Sequence, residues 1–183
     1  MPLVDIELDG LEIPQGTTVH LLSVVAGSDP RAFGLGARHI TISTSGVIPG
    51  IERLTALRPQ YTLAVSLHAA RTSLRDLLVP LNRRFPVNDV VKAATDYADV
   101  TGRRVTYEIV MIAGINDTAL DARATADLLK GRLAHVNLIP MNPVAHTPWQ
   151  PSAPERIEAF ATTLRDVGIH TTVRRNRGID IGA

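Results

Sequence analysis

The chain has 183 residues, 45% of them hydrophobic and 20% charged, a length and composition typical of one globular domain with a sizeable core. Nineteen Lys and Arg against eighteen Asp and Glu leave a formal net charge of +1, which excludes a global basic field for nucleic acid. Having no cysteine excludes disulfides and cysteine-ligated metal within the chain, and no apolar stretch is long enough to span a membrane, so we expect a cytoplasmic protein.

The first 28 residues differ from the rest and carry no recognisable chemistry. Val4–Leu8 alternates apolar and acidic residues, and Leu11–Val25 contains Pro14 and Gly16 between apolar runs. This pattern predicts a hairpin packed on the edge of a sheet. We therefore divide the chain into an N-terminal segment, residues 1–28, and a main unit, residues 29–183.

Short β-rich runs alternate with helical segments in the main unit. Strands are predicted at His39–Ser43, Tyr61–Leu67, Val105–Ile112, His135–Ile139 and His170–Arg174. Helices are predicted at Ile48–Leu57, Leu74–Val79, Asn88–Val100, Thr118–Leu129 and Ala153–Val167, with Asn88 as an N-cap. This alternation predicts an α/β fold with a parallel sheet. Five strands are too few for an eight-stranded barrel, so we expect an open or partial one.

Polar residues follow the predicted strands directly. Parallel sheets bind ligands at the carboxyl ends of their strands. These ends carry Ser43–Gly46, Ser66–His68, Gly114–Asp117, Pro140–Pro143 and Arg174–Gly178. Such small hydrogen-bonding groups suit a ligand with hydroxyls, an amino-acid head group or phosphates. The spacing reveals no nucleophile–base pair or carboxylate dyad, and no glycine-rich loop supports an unrelated phosphate-binding enzyme.

Each candidate also has a structural interpretation. Ser43 and Ser45 are in position to cap the following helix. His68 alone suits a hydrogen-bonded structural histidine, and Asn116–Thr118 suits a helix-capping turn. Asn142 suits a turn, and the terminal arginines suit a solvated charge run.

The order of the segments carries more information than any one of them. It resembles the RlmN-type radical S-adenosylmethionine (SAM) methyltransferases and their sister Cfr-type enzymes. The resemblance covers roughly Asp29 to Ala183. It rests on these segments: Ile42–Pro49, Leu63–Ala69, Leu74–Asn82, Tyr107–Met111, Asn116–Asp117, His135–Pro143 and Thr172–Gly178.

This resemblance implies a partial (β/α) barrel of the radical SAM type, incomplete on its N-terminal side, with SAM and a 4Fe–4S cluster as cofactors. It implies methylation of C2 of adenosine in 23S rRNA and tRNA, so that rRNA and tRNA are the expected partners. Five residues match SAM-contacting positions, with Ser45 an alternative to the first: Ser43, Ser66, Leu67, His68 and Asn142. The terminal arginines are expected near RNA phosphate: Arg174, Arg175 and Arg177.

The reacting groups of that family are missing. The chain lacks the CxxxCxxC cluster motif, the Gly-Glu-Pro segment, the general-base glutamate and the methyl-carrying cysteine. We therefore assign no catalytic residue and no metal ligand, and expect the chain alone to be inactive. One hypothesis is a C-terminal fragment of such an enzyme. The alternative is a non-catalytic SAM- or RNA-binding module. Open sheet edges predict self-association in either case.

Overall fold

The computed structural model describes residues 6–8, 11–13, 38, 40–142 and 147–174. The strands are β1 Ile6–Leu8, β2 Leu11–Ile13, β3 Thr41–Thr44, β4 Thr62–Ser66, β5 Val105–Met111, β6 Ala134–Pro140 and β7 His170–Val173. The helices are α1 Ile48–Leu57, α2 Thr72–Leu78, α3 Val87–Thr101, α4 Ala119–Leu129 and α5 Pro154–Asp166, with a 3₁₀ turn at Pro80–Arg83.

Every strand and helix predicted in the main unit is present. The largest shifts are at two starts, where β3 begins at Thr41 instead of His39 and α2 at Thr72 instead of Leu74. Asn88 is not an N-cap, because α3 begins at Val87 and Pro86 takes the capping position. The fixed φ of proline suits the start of a helix, which explains the earlier start.

Strands β3 to β7 form one parallel sheet in sequential order. Its register aligns Ser43 with Ala64, Ser66 with Glu108 and Glu108 with Asn137. Sequential parallel strands with a helix in each connection are the arrangement of a (β/α) barrel. Among the described residues β3 and β7 do not pair with each other, so the sheet stays open. This confirms the α/β class and the partial barrel.

The two faces of the sheet differ in chemistry. The first face packs against the helices, and from β5 it contributes Val105, Tyr107, Ile109 and Met111 to the hydrophobic core. The strict alternation of burial along β5 and β6 leaves the other residues half-buried. We call this opposite side the second face, formed on β5 and β6 by Thr106, Glu108, Val110, His135, Asn137 and Ile139. It is mostly polar.

The N-terminal segment is described only at β1 and β2. These strands pair antiparallel, with Ile6 opposite Ile13 and Leu8 opposite Leu11. Their placement on the sheet edge stays a prediction, and the other residues of 1–28 lie outside the described part. No helix in the described ranges is both long and apolar enough to cross a bilayer.

The serine caps predicted for α1 are wrong. Val47 is the N-cap residue and no side chain caps the helix. Thr44 Oγ1 instead accepts hydrogen bonds from the backbone N–H groups of Gly46 (3.1 Å) and Val47 (3.2 Å). Pro49 lies in the first turn of α1 and has no N–H to cap. Ser43 and Ser45 are therefore not needed for this helix start.

Helix α4 begins with a capping box that offers a direct test of the fold. Thr118 Oγ1 accepts from the Asp121 N–H (3.2 Å), and the Asp121 carboxylate accepts from the Thr118 N–H (3.3 Å). We expect Thr118→Ala to lower the free energy of unfolding by about 1–2 kcal/mol. Thr118→Ser keeps a hydroxyl and should retain most of this stabilisation. Urea denaturation followed by circular dichroism measures both. Equal losses in the two variants would contradict the capping role.

Among the described residues the outer edges of β3 and β7 have no strand partner, and this makes self-association the expected solution behaviour. Edge strands expose unpaired N–H and C=O groups that can pair with another chain. Size-exclusion chromatography with light scattering should therefore show dimers or larger species whose population grows with concentration. A monomer at all concentrations would count against this expectation.

A candidate ligand cavity at the carboxyl ends of the strands

A cavity of about 390 Å³ opens at the carboxyl ends of β4, β5 and β6. Its volume lies in the range of small-molecule and cofactor sites. Two of the predicted residues, His68 and Asn142, meet in its wall. The wall is otherwise mainly apolar and consists of His68, Leu78, Val110, Ile112, Ile139, Pro140, Met141, Asn142 and Trp149.

His68 is held in an unusual backbone conformation at the end of β4. Its φ is +56°, in the left-handed region that few non-glycine residues adopt. The His68 N–H donates to the Glu108 carbonyl (3.1 Å), and the Val110 N–H donates to His68 Nδ1 (3.3 Å). Because Nδ1 accepts, the neutral ring carries its proton on Nε2. His68 can therefore offer an N–H donor to a ligand.

The charge state of His68 follows from its surroundings. Burial, and then the positive charge of Arg75, lower the pKa of His68 to about 4. The ring is therefore neutral near neutral pH. A neutral donor can approach a cationic ligand without charge repulsion.

Asn116 joins the ends of β4 and β5. Its side chain is almost fully buried, and its Nδ2 donates to the carbonyls of His68 and Val110, both at 2.8 Å. Its Oδ1 accepts from the Ile112 N–H at 2.8 Å. The predicted capping turn is thus confirmed for Thr118, which caps α4, whereas Asn116 fixes the loop that carries His68.

Arg75 joins the ends of β3 and β4. The residue is fully buried, and its guanidinium donates to the carbonyls of Ser45 (2.8 Å), Leu67 (3.0 Å) and Ser66 (3.3 Å). It also donates to Asn82 Oδ1 at 2.8 Å. Burial lowers the pKa of Arg75 to about 10, so the group stays charged at neutral pH. The planar fork of arginine suits several acceptors at fixed angles.

Asn82 holds Arg75 in turn. Its Nδ2 donates to Asp76 Oδ1 (2.6 Å) and to the Thr72 carbonyl (3.4 Å). The sequence interpretation assigned no role to Arg75 or Asn82, because arginine and asparagine are mostly exposed. The available signal was their position in Leu74–Asn82, one of the segments that carry the family resemblance.

The turn after β3 requires glycine. Gly46 adopts φ +111°, and a Cβ atom there would lie 2.9 Å from Val90 Cγ2 and 3.3 Å from Arg75 Nη2. Any other residue would strain the backbone and press on the Arg75 guanidinium.

Three other predicted site residues do not line the cavity. Ser43 is buried on β3, and Ser66 lies on the neighbouring strand. Alternation along β4 puts Ser66 on the same side as Ala64, the register partner of Ser43. The Leu67 side chain belongs to the hydrophobic core. Contacts of these residues with a cofactor stay predictions.

The terminal arginines are described only in part. Arg174 is exposed directly after β7, and its N–H donates to the Leu138 carbonyl at 2.8 Å. Arg175 and Arg177 lie outside the described residues. The proposed contact of all three with RNA stays a prediction.

The donor set does not fit an iron–sulfur cluster. Such clusters are held by cysteine thiolates, and the chain has no cysteine. Within the described ranges no group of three or more His, Asp or Glu side chains is placed to hold a metal ion.

The lowered pKa of His68 predicts a pH-dependent contribution to stability. An unfolded histidine titrates near 6.5 and the folded one near 4, so the unfolded chain binds more protons between these values. The contribution is complete above about pH 6.5 and is lost as the pH falls towards 4. We expect His68→Asn to remove this contribution. The free energy of unfolding should then fall by roughly 2 kcal/mol less between about pH 7 and 4.5 than it does in the parent chain.

Asparagine is the matched replacement, because it tolerates positive φ and its Oδ1 can accept from the Val110 N–H. Urea denaturation at several pH values measures the effect. Identical pH dependence in the two proteins would show that His68 is not buried as a neutral ring.

The chain is similar to several curated proteins that carry the same name. A comparison with models of protein families found no match. A probable dual-specificity RNA methyltransferase RlmN of Frankia alni is 52% identical over 166 residues, covering 91% of this chain and 39% of that protein. The proteins of the same name from Moorella thermoacetica and Desulforudis audaxviator are 47% and 41% identical over 85% and 100% of this chain. The match covers 44% of the Moorella thermoacetica protein and 58% of the Desulforudis audaxviator protein.

Solved structures share the fold. The crystal structure of a radical SAM methyltransferase from Sphaerobacter thermophilus matches with a TM-score of 0.78 and 50% identity, over 81% of this chain and 44% of that one. A domain of pyruvate-formate lyase-activating enzyme from Bacteroides vulgatus matches with a TM-score of 0.59 at 16% identity, which shows a common fold only. By identity over most of its length and by fold, the chain belongs to the RlmN family of radical SAM methyltransferases, while spanning only about two fifths to three fifths of its curated relatives.

Proposed function

We propose that the chain supplies SAM-binding strand ends of an RlmN-type methyltransferase acting on C2 of adenosine in 23S rRNA and tRNA. The observation that carries this proposal is the meeting of His68 and Asn142 in a cofactor-sized, mainly apolar cavity at the carboxyl ends of the strands. The names of the relatives support RNA as the partner, and this implies a cytoplasmic location.

The cavity residues fit the parts of SAM. The apolar wall of Leu78, Val110 and Ile139 suits the adenine ring. Neutral His68 offers its Nε2–H to a ribose or carboxylate oxygen, and the Asn142 amide offers both a donor and an acceptor. Trp149, a residue that is 41% exposed, offers a π face for the sulfonium. When bound, SAM supplies the transferable methyl group.

Two buried side chains, those of Arg75 and Asn116, hold the backbone that forms the cavity, and neither lines it. Arg75 fixes the ends of β3 and β4, and Asn116 fixes the loop of His68 against β5. A preformed site binds its ligand without the entropy cost of ordering its loops. No step is assigned to a cluster, since the thiolates that would hold one are absent. The chain alone is therefore expected to bind SAM without transferring its methyl group.

Calorimetry with SAM tests the binding function. We expect His68→Ala and Asn142→Ala each to weaken binding by about tenfold, which corresponds to one lost hydrogen bond in a desolvated site. Arg123→Gln is the control, because Arg123 is exposed on α4 and does not line the cavity. Undetectable binding, or equal weakening by the control, would contradict the proposal.

Iron and sulfide analysis after anaerobic reconstitution tests the expected inactivity. We expect the purified chain to retain neither iron nor acid-labile sulfide, since it has no cysteine. A stoichiometric cluster would contradict the argument from the donor set.

A further inference from the structure

A second cavity, of about 500 Å³, lies at the amino ends of the strands. It is lined by residues that start β4 to β7 or precede them, among them Arg103, Arg104 and His135. His135 and Pro140 lie at opposite ends of β6, roughly 17 Å apart at the usual strand rise. This cavity is therefore separate from the one that contains His68.

Its lining is basic. Arg103 and Arg104 contribute guanidinium groups, and His135 and His170 contribute imidazoles with ring centroids 5.0 Å apart. In the described part of the chain no Asp or Glu lines it. The chain as a whole has a net charge of only +1, so this concentration of basic groups is local.

Arg103 has a donor that the described residues do not satisfy. Its Nη2 donates to Thr62 Oγ1 (3.1 Å) and more weakly to the Arg38 carbonyl (3.5 Å). Its Nε–H is buried and has no hydrogen-bond partner among the described residues. A buried donor without an acceptor is unfavourable, so a small movement of the Arg103 side chain that lets an anion oxygen accept from this N–H would be favoured.

The His135 imidazole lies between two threonine hydroxyl groups. His135 Nε2 contacts Thr172 Oγ1 at 2.9 Å, and its Nδ1 contacts Thr106 Oγ1 at 3.4 Å. Burial, followed by the charges of His170 and Arg104, lowers the pKa of His135. An anion beside these groups would relieve their mutual repulsion.

We propose that this amino-end cavity binds a phosphate group. Guanidinium forks bind phosphate oxygens with two parallel hydrogen bonds, and imidazole and hydroxyl donors complete such sites. The volume exceeds that of a single phosphate, which leaves room for a sugar or a second phosphate attached to it. The same chemistry fits a free phosphate ester and an RNA phosphodiester.

Titration of the 183-residue chain with two probes distinguishes these sources. The probes are inorganic pyrophosphate and a single-stranded oligoribonucleotide of about ten nucleotides. We expect Arg104→Gln and His170→Gln each to weaken binding of the recognised probe by about tenfold. Both residues are exposed, so folding should be preserved. Binding of pyrophosphate alone would identify a phosphate-ester site, and binding of RNA alone would identify a phosphodiester site. Binding of both probes would identify a phosphate subsite that the two ligands share.

Arg123→Gln removes the same charge from an exposed position outside the cavity and serves as the matched control. Its binding of the recognised probe should be unchanged, and the affinity of Arg104→Gln for SAM should equal that of the parent chain. Binding of neither probe would overturn the proposal. So would equal weakening by Arg123→Gln, since that would reveal nonspecific charge attraction. Neither result depends on whether the chain binds SAM.

Discussion

Replacing Arg75 with methionine is expected to lower the free energy of unfolding by about 3–5 kcal/mol. The change removes a fully buried guanidinium and leaves the carbonyls of Ser45 and Leu67 and the side chain of Asn82 without this donor. Each buried acceptor left without a partner costs about 1–3 kcal/mol. Urea denaturation, with the fraction folded followed by circular dichroism, measures the loss.

Arg75→Lys separates charge from geometry. Lysine keeps the positive charge but has no planar fork with which to reach the acceptors at the ends of β3 and β4 and on Asn82 together. We expect an intermediate loss of about 2 kcal/mol and weaker SAM binding in the fraction that remains folded. Arg123→Met is the control and should change stability by less than about 0.5 kcal/mol. A similarly small change in Arg75→Met would show that Arg75 does not hold the strand ends together.

Replacing Asn116 is expected to have the second largest effect. Asn116→Ala removes three hydrogen bonds of 2.8 Å that a buried side chain makes, and we expect the free energy of unfolding to fall by about 3 kcal/mol. SAM binding should weaken as well, because the His68 carbonyl loses its anchor to β5. Thermal and urea denaturation, together with calorimetry, measure the two effects.

Asn116→Asp is the isosteric comparison. Its Oδ1 can still accept from the Ile112 N–H, but a carboxylate in place of Nδ2 faces the carbonyls of His68 and Val110. We expect it to be at least as destabilising as alanine near pH 7, and less so in acid, where a protonated carboxyl can donate one hydrogen bond. Wild-type stability in Asn116→Asp would contradict the role assigned to the Nδ2 donor.

The elements of the sheet could be predicted because their patterns are local. Alternation in Val105–Met111 and helical spacing in Ile48–Leu57 specify strand and helix without knowledge of their neighbours. The parallel order followed from strand–helix alternation. The helix starts were less predictable, because Val47 and Pro86 occupy the capping positions where serine and asparagine were expected.

The candidate site was predictable only in part. His68 and Asn142 were identified from their position after strands and from the resemblance, and they meet in one cavity. Arg75 and Asn116 were missed as positioning residues because their acceptors lie on strands distant in sequence: Asn116 and His68 are 48 residues apart. Buried polar networks depend on the assembled fold, so local patterns do not reveal them.

Mapping SAM on the folded chain by ¹H–¹⁵N NMR tests the central claim most directly. We predict chemical-shift changes that saturate with SAM and concentrate at the backbone amides of His68, Val110 and Met141, around the carboxyl-end cavity. Amides at the opposite end of the sheet, such as Thr106, should not shift. The absence of saturable changes, or changes centred away from the ends of β4, β5 and β6, would contradict the account.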